Sequence, residues 1–164
     1  MEENSIIVYA ITEKGPDIVH SDSSLSQAKL QEISLYHLLL VAQGTWHHKG
    51  IFVLPIPINE LNEKSKAIYY GFTVYDEDQQ DPRTNHTRYG CIIIFCPNET
   101  LAQCNIIELQ TKLDKMLSKV SCYQDLKRPS FFNNLKRFVK KEFSVKKKIK
   151  APSLKSSRAK QIEV

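Results

Sequence analysis

Pro55 and Pro57 stand two residues apart in a run, 50 to 58, that otherwise reads as a β-strand. Proline has no amide hydrogen to give to a ladder, and at this spacing both missing donors fall on the same side of the strand. Such a strand cannot have neighbours on both sides, so the chain has to fold into a sheet with this run at its edge. A free edge offers N–H and C=O groups to another strand, which makes Ile51, Val53, Pro55 and Pro57 candidate contacts with a partner chain.

The remaining elements can be read around that edge. Residues 5–12, Ser-Ile-Ile-Val-Tyr-Ala-Ile-Thr, are β-branched and apolar enough for a central strand. Lys14-Gly15-Pro16-Asp17 supplies a turn, and 17–21 gives a short second strand. From Ser24 or Ser26 to Gln43 no Gly or Pro interrupts, and Gly44 provides a helix stop. In this helix Leu25, Ala28, Ile33, Tyr36, Leu39 and Leu40 make one wide stripe, while Leu30, Leu38 and Val41 lie on the far side. A helix apolar on two sides needs two covers. The sheet is one; the second is the C-terminal segment or another protein chain, so Leu30, Leu38 and Val41 join the candidate interface.

Strands are expected at 66–75 and 88–96, the latter being the most hydrophobic and hence central. Between them Asp76, Glu77, Asp78 and Asp81 read as a solvated acidic loop, without the sixth-position Gly and final Glu of a calcium loop. A helix capped by Asn98 is expected to run to about Val120, with Leu101, Ile106, Leu109, Leu113, Met116, Leu117 and Val120 in one stripe. Three successive strands joined by short connections imply antiparallel pairing, and the class is α+β.

Charge divides the chain unevenly. Residues 1–122 carry 10 Lys and Arg against 15 Asp and Glu, a balance of −5; residues 123–164 carry 13 against 3, a balance of +10. We therefore expect a body at 1–122, a basic amphipathic extension at 123–150 and a disordered tail at 151–164. In the extension Pro129 and Ser130 open a helix with Phe131, Phe132, Leu135, Phe138, Val139 and Phe143 on one arc. Lys136, Arg137, Lys140 and Lys141 lie opposite. Three readings fit the Phe arc: the last core helix, an anionic membrane interface, or a segment docked on a partner or nucleic acid. The four cations are the candidate membrane or phosphate contacts.

Catalytic and cofactor chemistry finds no constellation. His47 and His48 are adjacent and diverge, and His20, His37 and His86 are isolated in sequence. Cys91 and Cys96, five apart in a strand, point to opposite sheet faces, and Cys104 and Cys122 stand alone, so neither a metal site nor a disulfide framework is drawn. No P-loop or Gly-x-Gly-x-x-Gly is present to cradle phosphate. Trp46, the one Trp, is expected to be buried under the sheet edge. The start, Met1-Glu-Glu-Asn, lacks the basic end and apolar run of a signal peptide, and a cytoplasmic chain with reduced thiols is expected.

This order, with Gly15-Pro16 in the first hairpin and the Pro-marked strand directly after the first helix, resembles the longin domain of the longin and roadblock group. The likeness covers roughly residues 5–122. It is nearest to the longin portion of DENN-type proteins, in which strands resembling Tyr70-Gly71-Phe72-Thr73-Val74-Tyr75-Asp76 and Arg88-Tyr89-Gly90-Cys91-Ile92-Ile93-Ile94-Phe95-Cys96-Pro97 flank a variable polar loop. The resemblance implies a five-stranded antiparallel sheet of order 2-1-5-4-3, with one helix on one face and two on the other. It also implies a docking platform for a small GTPase or another longin/roadblock-type protein, working as a homodimer or heterodimer. Exchange-factor activity is not carried over, because the α/β module of complete DENN proteins is not in these 164 residues. SNARE longins differ too, since no heptad segment follows here. The reading is a non-enzymatic interaction scaffold without cofactor or metal, with the basic tail adding membrane or partner attachment. The alternatives are a profilin-like cytoskeletal binding module and a nucleic-acid binder led by the tail, the latter ranked low because the body is acidic.

Overall fold

The structure, a computed structural model, describes residues 4–42, 49–56 and 64–144. Strands β1 (Ile6–Thr12), β2 (Gly15–Ser21), β3 (Gly50–Leu54), β4 (Ser65–Tyr75) and β5 (Thr87–Pro97) form one antiparallel sheet. Its order is β2-β1-β5-β4-β3. β3 is an edge, as expected, but the strand ends at Leu54, so Pro55 terminates it rather than interrupting its ladder; Pro57 lies outside the described residues. Gly15 takes φ +103° at the β1–β2 turn, a conformation open to glycine at no steric cost. There Thr12 Oγ1 accepts from the Lys14 amide at 3.2 Å and donates to the Gly15 carbonyl at 2.9 Å.

Side chains alternate across the sheet, and both faces are covered, which is why β1 and β5 are unbroken apolar runs. Ile7, Tyr9, Cys91, Ile93 and Phe95 point to the face that carries helix α1 (Gln27–Ala42). Ile6, Val8, Ile92, Ile94 and Cys96 point to the other, covered by α2 (Asn98–Leu101), α3 (Ile106–Leu117), α4 (Tyr123–Leu126) and α5 (Pro129–Glu142). The two cysteines thus lie on opposite faces.

The helix expected from 98 to 120 is broken. Asn98 does not cap it. Asn105 does, its Oδ1 accepting from the Glu108 amide at 3.2 Å, and this second capping residue starts α3 afresh after the one-turn α2. The stripe survives the break: Leu109 and Leu113 are buried, and Leu101, Ile106, Met116, Leu117 and Val120 pack around them.

α5 settles the three readings of the Phe arc in favour of the core. Phe131, Phe132, Leu135, Val139 and Phe143 are buried in the same cluster as Leu113. Full burial of each large apolar side chain contributes about 1.5–3 kcal/mol relative to exposure, enough to hold a helix of this length on the sheet. The charge boundary at residue 122 is therefore not a packing boundary, and residues 123–143 belong to the body. Arg128 occupies the position before Pro129, so Ser130 lies inside the helix and does not cap it. Residues 145–164, which include the expected tail at 151–164, lie outside the described residues.

Candidate interaction surfaces

α1 is apolar on both sides, but its phase differs from expectation. Leu30, Ile33, Ser34 and His37 face the sheet. Leu35 and Leu39 point away from it, 46% and 57% exposed, with Leu40 beside them at 38%. Leu30, expected at a partner interface, is 4% exposed and belongs to the core. Leu38 is half-buried on the flank; Val41 is helical, with its side chain outside the described part. Polar residues normally mark the solvent side, and here two of them are inside. Ser34 Oγ donates to its own helix at the Leu30 carbonyl, 2.9 Å away. His37 Nδ1 is hydrogen-bonded to the Tyr9 hydroxyl, and its ring stacks on Tyr69 with centroids 4.5 Å apart.

The edge strand adds to the same side of the molecule. Phe52 is opposite Tyr69 in register, so it shares the α1 face, and it is 37% exposed. Ile51 is half-buried against the α3 side, while Val53 and Pro55 are exposed. The Ile51 amide turns away from β4 to Gln110 Oε1 at 3.4 Å, which identifies the odd-numbered β3 amides as the outward ones. Gln110 blunts the edge at Ile51; Val53, two residues on, points the same way.

The Tyr9, His37, Tyr69 and Cys91 cluster beneath α1 has the residue types of an acid–base site but not the access. All four are 1% exposed or less. Burial lowers the His37 pKa to about 4 and pushes the two phenols and the thiol well up, so each is neutral at physiological pH. Nothing in it can titrate near neutrality or touch a substrate.

The acidic loop is less solvated than expected. Asp76 is buried, and its Oδ2 lies 2.5 Å from Arg88 Nε. Arg88 also donates to the Ile11 carbonyl at 2.6 Å and sits 4.8 Å from the Tyr123 ring centre, so the pair ties β1, β4, β5 and α4 together. Asp81 is engaged by Arg83 at 2.7 Å, whose hydrogen bonds hold its carboxyl down at about 2. Among the described residues no group of three His, Cys, Asp or Glu could hold a metal ion.

Lys136, Arg137, Lys140 and Lys141 are all exposed along the outer side of α5. Lys136 Nζ is 5.1 Å from the centre of the Phe132 ring. These four lie together, on the opposite side of the sheet from Leu35 and Leu39. The structure thus carries an apolar surface with a strand edge and a separate cationic one. Comparison with family models, with curated proteins and with solved structures returns no match to this chain. No helix among the described residues is long and apolar enough to cross a membrane.

Proposed function

We propose that the protein is a longin-like interaction scaffold, without catalytic chemistry of its own, that pairs with a protein partner through the outer face of α1 and the free edge of β3. The observation that carries this reading is the exposed Leu35 and Leu39 pair on a helix already packed on its other side. Apolar surface of that kind, with Phe52 exposed on the same side of the sheet and β3 at its edge, is what a second sheet-and-helix unit would cover. A second copy of the chain fits in the simplest way: β3 pairs with β3, and each α1 lies over the join. A small GTPase or another longin/roadblock-type subunit would use the same surface. The strand order β2-β1-β5-β4-β3 and the split of one long helix against the helices that follow β5 support the longin-like assignment. The cations of α5 add attachment to an anionic membrane or partner, and both roles would be served in the cytoplasm.

Hydrogen exchange at increasing protein concentration tests the pairing. The Val53 amide is expected to gain protection as the dimer fills, while the amides of β2, at the opposite edge, do not change. Equal behaviour of the two edges would overturn the interface.

A further inference from the structure

The basic surface is wider than α5. Between residues 105 and 144 there are nine lysines and arginines against four carboxylates, in a chain whose first 122 residues sum to −5. They come from two separate stretches, since α3 brings Lys112 and Lys115, and the turn after it Lys119, to the same side of the sheet as α5. The two helices are fastened by Lys112 Nζ, 2.6 Å from Glu108 Oε1 and 2.8 Å from Glu142 Oε2. Along this seam lies a groove of about 680 Å³, rimmed by Lys115, Lys119, Arg128 and Lys141 and floored in part by Met116 and Phe138.

Two carboxylates in its lining are ion-paired, Glu142 to Lys112 and Asp125 to Arg128 at 3.0 Å, while Asp114 accepts from the Tyr70 hydroxyl at 2.5 Å, which does not neutralise it. Lys115, Lys119 and Lys141 make no ion pair among the described residues.

We propose that the α3–α5 groove seats the phosphate headgroups of an anionic phospholipid surface. This rests on the attachment role assigned above to α5 and extends it to a site shared by two helices. Two arguments favour a lipid surface over nucleic acid. Among the aromatic rings of this side, Phe131, Phe132 and Tyr123 are buried and Phe138 is half-buried in the groove floor, so the described residues present no row of open rings on which successive bases could stack. The floor of the groove is apolar between its cationic rims, which suits a headgroup with the start of its glycerol. Contact is then electrostatic, with no inserted Phe. Because the groove and the α1 surface are on opposite sides of the sheet, a membrane-seated molecule keeps its protein-docking side toward the aqueous phase.

The test is co-sedimentation of the full chain with phosphatidylcholine vesicles, with and without phosphatidylserine. Three proteins are compared: the wild type, a groove variant (Lys115→Gln, Lys119→Gln, Arg128→Gln) and a ridge variant (Lys136→Gln, Arg137→Gln, Lys140→Gln). All six positions are exposed, and thermal unfolding checks that each variant folds. Binding is expected only with phosphatidylserine and to weaken about fivefold for each of Lys115 and Lys119 removed, and less for Arg128, which Asp125 already pairs. If the ridge variant loses binding and the groove variant does not, the groove is refuted while attachment through α5 stands. If the wild type ignores phosphatidylserine, or holds duplex DNA as tightly, the lipid assignment is overturned for both. Neither outcome bears on the α1 and β3 interface.

Discussion

The two faces of the sheet solve the same problem with different residues. On the α3 and α5 side, helices with one apolar arc each meet the sheet, and apart from Ile107, 81% exposed on α3, the outer arcs are polar; Leu113 and Leu135 are fully buried, Lys115 and Lys136 exposed. On the α1 side a helix apolar on two sides meets the sheet with Ser34 and His37 turned inward, and leaves Leu35 and Leu39 in solvent. A face that exists only to close a core has no reason to bury polar groups and expose leucines. The difference is what the proposed α1 and β3 interface rests on, whereas the α3–α5 face supplies the larger of the two core clusters.

That contrast can be broken most severely at Leu135. Leu135→Ala, at a fully buried site, is expected to destabilise the fold by about 2–5 kcal/mol in urea unfolding, whereas Leu39→Ala should change it by under about 0.5 kcal/mol. Equal losses at the two positions would mean that the outer side of α1 is structural after all. Next in size is acid sensitivity, which should come from the α1 face. His37 has a folded pKa of about 4, below its unfolded value near 6.5, so the unfolded chain binds the extra proton between those limits. Stability should fall as pH drops through that window, by about 3 kcal/mol at its lower end, and His37→Gln should flatten the profile. An unchanged slope in the variant would place the acid-sensitive group elsewhere. The smallest effect is of opposite sign. The Tyr69 hydroxyl is buried without a hydrogen-bond partner among the described residues, so Tyr69→Phe should be neutral or stabilise by up to about 1 kcal/mol. A clear loss would reveal a partner for that hydroxyl.

Regular alternation made most of the sheet legible: the apolar run through Ile92, Ile93 and Ile94 placed β5 in the middle, while the edge position of β3 was reached through a Pro55 that in fact only ends the strand. The arc of α5 was equally plain, but its destination was not, because a basic amphipathic helix has the same pattern whether it covers a core or a membrane. Asn105 was hidden inside a stripe that continues across the break it causes. At α1, sequence periodicity failed for a physical reason. With apolar residues on two sides, the wider stripe through Ile33, Tyr36 and Leu39 does not set the phase, because Ser34 and His37 are satisfied inside by a carbonyl and a phenol. That stripe sends Leu30 outward and Leu39 inward, the reverse of what is found. The signal that could have corrected this was Tyr9 in the middle of β1, a buried hydroxyl in need of a partner.

The α1 and β3 surface is tested most directly by light-scattering mass over a range of concentrations, for the wild type and for a Leu35→Ser, Leu39→Ser variant. The wild type is expected to approach twice the 18.9 kDa chain mass as concentration rises. The variant should stay at one chain mass with unchanged thermal unfolding. A wild type that remains a single chain throughout, or a variant that dimerises equally well, would contradict self-pairing through this surface.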